Sequence, residues 1–68
     1  MLKNVHYDMV EEIAELSKSL SRMDTYIKDS EGCKECQQLW RELKKRQEEE
    51  LHMVYHEFEK HVREGIRS

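Results

Sequence analysis

The sequence predicts an all-α protein: a two-helix antiparallel hairpin that self-associates into a four-helix bundle. Three observations point there. The 68 residues contain no proline, glycine occurs only at Gly32 and Gly65, and apolar residues recur at helical spacing on both sides of Gly32. Charged residues make up 40% of the chain and apolar ones 37%, a balance that by composition alone would point to disorder. The richness in Glu, Lys, Arg, Leu and Met, together with the periodicity, reverses that reading in favour of long helices.

The first helix is expected over 4–29. Met9, Ile13, Leu16, Leu20, Met23 and Ile27 follow at spacings of 4, 3, 4, 3 and 4, one continuous stripe on a helix. Extended backwards, the stripe takes in His6 and then Leu2. Asn4 as N-cap is one starting point, and a capping box of Asp8 with Glu11 is another, one turn later. His6 on the seam reads as a core-edge histidine, and Met9 and Met23 as core.

The stripe stops at Asp29-Ser30-Glu31-Gly32, where Gly32 can adopt the left-handed conformation that ends a helix. A turn over 30–32 leaves no room for anything but antiparallel neighbours. The second helix is expected over 33–64, with Trp40, Leu43, Gln47, Leu51, Val54, Phe58 and Val62 on one stripe. Its spacing, mostly three-four-four, predicts nearly straight packing in a hairpin roughly 40 Å long. Trp40, beside the turn, anchors the pair through its apolar area.

A single domain of this length closes only a marginal core. Cys33 and Cys36 offer little help, since a bridge between them would close a trivial loop. Val10, Tyr26, Leu39, Met53 and Tyr55 fall off the two stripes and require a second interface. A homodimer, or a higher homo-oligomer, is the simplest closed arrangement that covers them.

The charge excludes some partners. Fifteen acids and twelve bases are interspersed to a net charge of -3, so no cationic face is offered to nucleic acid. The cluster Lys44-Lys45-Arg46 runs into Glu48-Glu49-Glu50 and reads as a solvated, salt-bridged surface. No apolar run approaches the ~20 residues needed to span a bilayer, and the N-terminus lacks a signal-peptide pattern, so a cytoplasmic protein without membrane contact is expected. Two cysteines suit a reducing compartment. There is no glycine-rich phosphate loop and no Ser-His-Asp arrangement.

Glu49, His52 and His56 stand at i, i+3 and i+7 and share a face of the second helix, away from the hairpin stripe. A Glu-x-x-His pair projects a carboxylate oxygen and an imidazole nitrogen toward one point, which is how carboxylate-bridged di-iron bundles build half a site from one helix. The bland reading is exposed charge beside a rim histidine. Met23-Asp24-Thr25-Tyr26, the turn, and Arg46-Gln47-Glu48-Glu49-Glu50-Leu51-His52 together resemble the helical hairpin of the short encapsulated ferritin-like proteins, over about the middle half of the chain. The resemblance implies that Glu49 and His52 ligate iron, that Tyr26 is a near neighbour, and that two hairpins meet to complete a di-iron ferroxidase site. It also places the family's helix-one carboxylate at Ser19, a poor iron ligand, with Glu15 a full turn earlier. That departure argues against oxidation chemistry.

Cys33-x-x-Cys36 opens the second helix, where unpaired amide N–H groups favour thiolate. The pair is expected either to bind zinc with His61 or His6 of a second subunit, or to pack as a small apolar residue (Cys36) beside an accessible thiol (Cys33). Two function classes follow: a ferritin-like iron-binding subunit with its site at a subunit interface, and a non-catalytic helical interaction or scaffold module.

Overall fold

Two helices, α1 (Asn4–Asp29) and α2 (Lys34–Arg63), lie against each other as an antiparallel hairpin, and no strand occurs among the described residues. The computed structural model describes residues 4–65. Leu2, at the backward end of the first stripe, lies outside them. Cross-helix contacts fix the direction: His6 meets His61, Ser19 meets Gln47, Asp24 meets Lys44, and Tyr26 meets Trp40, rising along α1 while falling along α2. The long axis measures 50 Å. It exceeds the ~40 Å expected because the 30 residues of α2 alone rise about 45 Å.

On α1 the expected stripe is the packed one. Leu16 and Met23 are buried, with Met9, Ile13, Leu20 and Ile27 half-buried on the same stripe. His6, also buried, extends it toward the N-terminus. Residues 4–7 are already helical, so Asp8 sits inside α1 and the Asp8–Glu11 capping box is not its start.

On α2 the stripe differs at its end. Val62 is 51% exposed, and His61 takes the seam position beyond Phe58. The half-buried positions are Gln37, Trp40, Leu43, Lys44, Gln47, Leu51, Val54, Phe58 and His61, so the expected Leu43 is packed and Lys44 joins it on the seam. Without Leu43 the series steps by three and four, the 3.5-residue repeat that keeps a stripe facing one neighbour. Phe58 is followed by an in-facing residue three positions on, and residue type misled the choice of Val62 over His61.

The turn is tightly bonded. The Ser30 amide donates to the Tyr26 carbonyl at 3.0 Å and its hydroxyl to the same oxygen at 2.8 Å, closing α1. Gly32 then takes φ +97°, the left-handed region. Cys33 is the N-cap of α2 and not its first helical residue: its backbone is extended and its sulfur accepts from the Cys36 amide at 3.3 Å. A thiol thus does what Ser or Asp usually does there. Gln37 donates from its side chain to the Ile27 carbonyl at 3.1 Å, tying the first turn of α2 to the last of α1.

Beside this clamp Tyr26 packs on Trp40, ring centroids 4.9 Å apart. Tyr26 is therefore half-buried within the hairpin and does not need a second interface. Val10, Leu39, Met53 and Tyr55 are exposed as expected, and Val5, Tyr7 and Val62 join them. No described side chain is fully buried. No helix among the described residues is long and apolar enough to cross a membrane.

Candidate functional site

Three groupings of polar side chains stand out, and the hairpin places each at a different height. The first is the Glu49, His52 and His56 face. All three are exposed on α2, off its packed stripe, and the His52 and His56 rings stack at 6.0 Å between centroids with their planes 21° apart. One turn of helix separates them, which sets that spacing. His52 also lines a shallow groove of about 470 Å³ with Ile13, Ser17, Leu20, Glu48, Leu51 and Tyr55.

The other residues of the ferritin-like resemblance lie elsewhere. Tyr26 faces Trp40, nine residues from Glu49 along α2, or about 13 Å of rise. Ser19 donates from its hydroxyl to Gln47 Oε1 at 2.6 Å, so the position of the family's helix-one carboxylate is a seam position committed to Gln47. Among the described residues no three His, Cys, Asp or Glu side chains converge as metal ligands. Within one hairpin, then, Glu49, His52 and His56 do not converge on a single metal position.

The second grouping is Cys33 with Cys36, both exposed and both free thiols. Their sulfurs are 2.7 Å apart. Cys33 Sγ already accepts the Cys36 amide, so the consistent arrangement has the Cys36 thiol donating to Cys33 as well. That side-chain bond, followed by the backbone bond, holds Cys33 below the ordinary thiol value. The same bond pushes Cys36 up, because losing its proton forfeits the bond. Cys36 is solvent-exposed and not a small apolar residue of the core end.

The third grouping joins His6, His61 and Glu57 at the open end of the hairpin. His6 Nε2 lies 3.1 Å from His61 Nδ1, and His61 Nε2 lies 3.1 Å from Glu57 Oε2. Both nitrogens of His61 are therefore engaged inside its own hairpin, about 37 Å of helical rise from Cys36. The signal for this meeting was present in the sequence: His6 on the first stripe, and His61 three residues after Phe58.

The basic cluster divides between two partners. Arg46 pairs with Glu42 at 3.3 Å on the solvated side, whereas Lys44 turns inward and reaches Asp24 of α1 at 2.7 Å. Asp24 raises the Lys44 pKa by hydrogen bond and charge. In comparisons with known proteins, no family model matches the chain, and neither a curated protein nor a solved structure matches it significantly.

Proposed function

We propose that this chain is an assembly subunit: a helical hairpin that docks on a second copy of itself to complete a four-helix bundle. The observation that carries the reading is surface. The hairpin exposes 5490 Å², against about 4,600 Å² expected for a folded monomer of 8.3 kDa. The excess of roughly 900 Å² is the area one partner contributes to a standard stable interface. The groove bounded by Ile13, Leu20, Leu51 and Tyr55 supplies an apolar seat, and Val10, seven residues before Ser17, lies on the same side of α1.

Sedimentation equilibrium at micromolar concentration tests it. The expected result is a dimer or larger closed oligomer that Val10→Glu with Tyr55→Glu converts to a single hairpin. A compact, stable, solitary parent chain ends the proposal.

One observation favours metal binding as a second reading. His52 lines the groove, so a copy seated there brings Glu49, His52 and His56 of two chains toward one interface. This is the arrangement that the ferritin-like resemblance implies, with iron as the ion and the helix-one carboxylate absent at Ser19. Ferrous iron is expected to raise the melting temperature of the oligomer, and Glu49→Ala with His52→Ala to abolish the rise. Unchanged melting and unchanged oligomer size on iron addition leave the scaffold reading alone.

A further inference from the structure

His6 and His61 stand 55 positions apart in the chain and meet across the open end of the hairpin. Glu57 only accepts hydrogen bonds when ionised, so a neutral His61 has its proton on Nε2 and a bare Nδ1 toward His6, 3.1 Å from His6 Nε2. If His6 protonates Nε2 it satisfies His61. If it protonates Nδ1 instead, two lone pairs confront each other.

In both cases His6 Nδ1 stays unpaired, because it is buried without a partner among the described residues in a side chain only 5% exposed. A hydrogen bond between neutral imidazoles is modest, and desolvating the orphaned nitrogen offsets it. His6 Nδ1 is equally orphaned with an ion on Nε2, so the two facing nitrogens alone recommend the pair as ligands.

As a ligand pair it is well formed. An ion held about 2.0–2.1 Å from each nitrogen would see a 3.1 Å pair at an angle of about 100°, between the octahedral and tetrahedral values. Neutral imidazoles suit borderline divalent ions such as zinc, copper(II) and nickel. Glu57, bonded to the remote nitrogen of His61, occupies the place of the carboxylate that commonly orients a ligating imidazole.

We propose that His6 Nε2 and His61 Nδ1 clamp a divalent transition-metal ion, zinc in the first instance, that ties the open end of the hairpin, with Glu57 as the positioning residue. Water completes the coordination on the partly exposed His61 side. A link between residues so distant in sequence restrains the unfolded chain across nearly its whole length, which is where a metal clip is most effective. The site lies within one hairpin and requires no second copy.

Thermal unfolding of chelator-treated full-length protein, with and without excess zinc chloride, tests the clamp. Zinc is expected to raise the melting temperature and to bind once per hairpin. The rise is expected to survive in a variant carrying Cys33→Ser, Cys36→Ser, Glu49→Ala, His52→Ala and His56→Ala. It is expected to vanish in His6→Gln and in His61→Gln, the latter serving alone if the buried His6 variant fails to fold. Glu57→Gln is expected to weaken zinc binding about tenfold. No rise in the parent, a rise that persists in His61→Gln, or its loss from the five-site variant overturns the clamp. Unchanged affinity in Glu57→Gln removes the carboxylate from it.

Discussion

Lys44 Nζ lies 2.7 Å from Asp24 Oδ1, an ion pair that crosses the hairpin seam where the heptad would otherwise take an apolar residue. The lysine stem covers the seam while its head reaches Asp24 at the edge. Asp24 raises the Lys44 pKa, so the pair's contribution is fully present below the ordinary lysine value and is lost as pH climbs through the raised one. Asp24→Asn is expected to lower the melting temperature slightly at neutral pH. The loss should shrink in 1 M sodium chloride, as it does for partly exposed pairs. An effect equal at low and high salt would assign the loss to packing instead.

The two thiols should react unequally. Cys33 is held below the ordinary thiol value by its bonds from Cys36, while Cys36 is pushed above it. With limiting iodoacetamide at neutral pH, peptide mapping is expected to find the label chiefly on Cys33. Cys36→Ala removes the largest cause of the lowering and should slow Cys33 alkylation at pH 7 severalfold. The stability effects oppose each other. The lowered Cys33 favours the folded chain as pH rises through the thiol range, and the raised Cys36 disfavours it. Equal labelling of both cysteines would refute the asymmetry.

How far the sequence foretold this depends on which force decided each position. The stripe from Met9 to Ile27 was legible because apolar burial decided it. So was Gly32, at which the backbone requires a positive φ. Polar seam positions were legible only where the stripe ran through them, as at His6 and Gln47; Lys44 and His61 are placed by period and cross-helix partners, and residue type favours their neighbours Leu43 and Val62. Helical spacing puts Glu49, His52 and His56 on one exposed face off the seam, and His52 at its edge borders the groove shared with α1. What covers that face is a matter of assembly, which a single chain's periodicity does not encode.

The core is thin enough that single residues matter. Leu16→Ala removes one of the two buried apolar side chains among the described residues and is expected to cost about 2–3 kcal/mol, near the lower end for such truncations because the neighbouring groove can partly close on the gap. Met53→Ala, at 71% exposure, should stay within about 0.5 kcal/mol. Urea unfolding of both variants at one protein concentration makes the comparison. A large cost at Met53 would move the proposed interface to the side lined by Met9, Met53, Val54 and Glu57.

At the turn, Gly32 holds φ +97°, and a Cβ built there meets nothing within 4 Å. Strain is therefore conformational and not a clash. Gly32→Ala is expected to destabilise by about 1–2 kcal/mol, and Gly32→Asn by less, since asparagine tolerates the left-handed region better. Denaturant midpoints of the two variants measure the order. Alanine equal to glycine would mean that the turn relaxes to a negative φ at no cost.

Ser19 and Gln47 make the last test, because they decide between stability and specificity in the seam. Their 2.6 Å hydrogen bond is part-buried midway along the hairpin, with Leu20 and Leu51 beside it. Deleting one partner strands the other, so Ser19→Ala alone should cost about 1 kcal/mol, the penalty of an unpaired, partly buried amide. Replacing both, Ser19→Ala with Gln47→Leu, removes the polar demand and adds apolar area to the seam. The double variant is expected to be more stable than the parent by about 1 kcal/mol. A buried polar pair also specifies register, because only one alignment satisfies it. The more stable variant should therefore show broader amide resonances, or a wider spread of molecular sizes, than the parent. If the double variant is both more stable and equally uniform, the apolar stripes and the Gly32 turn alone set the register.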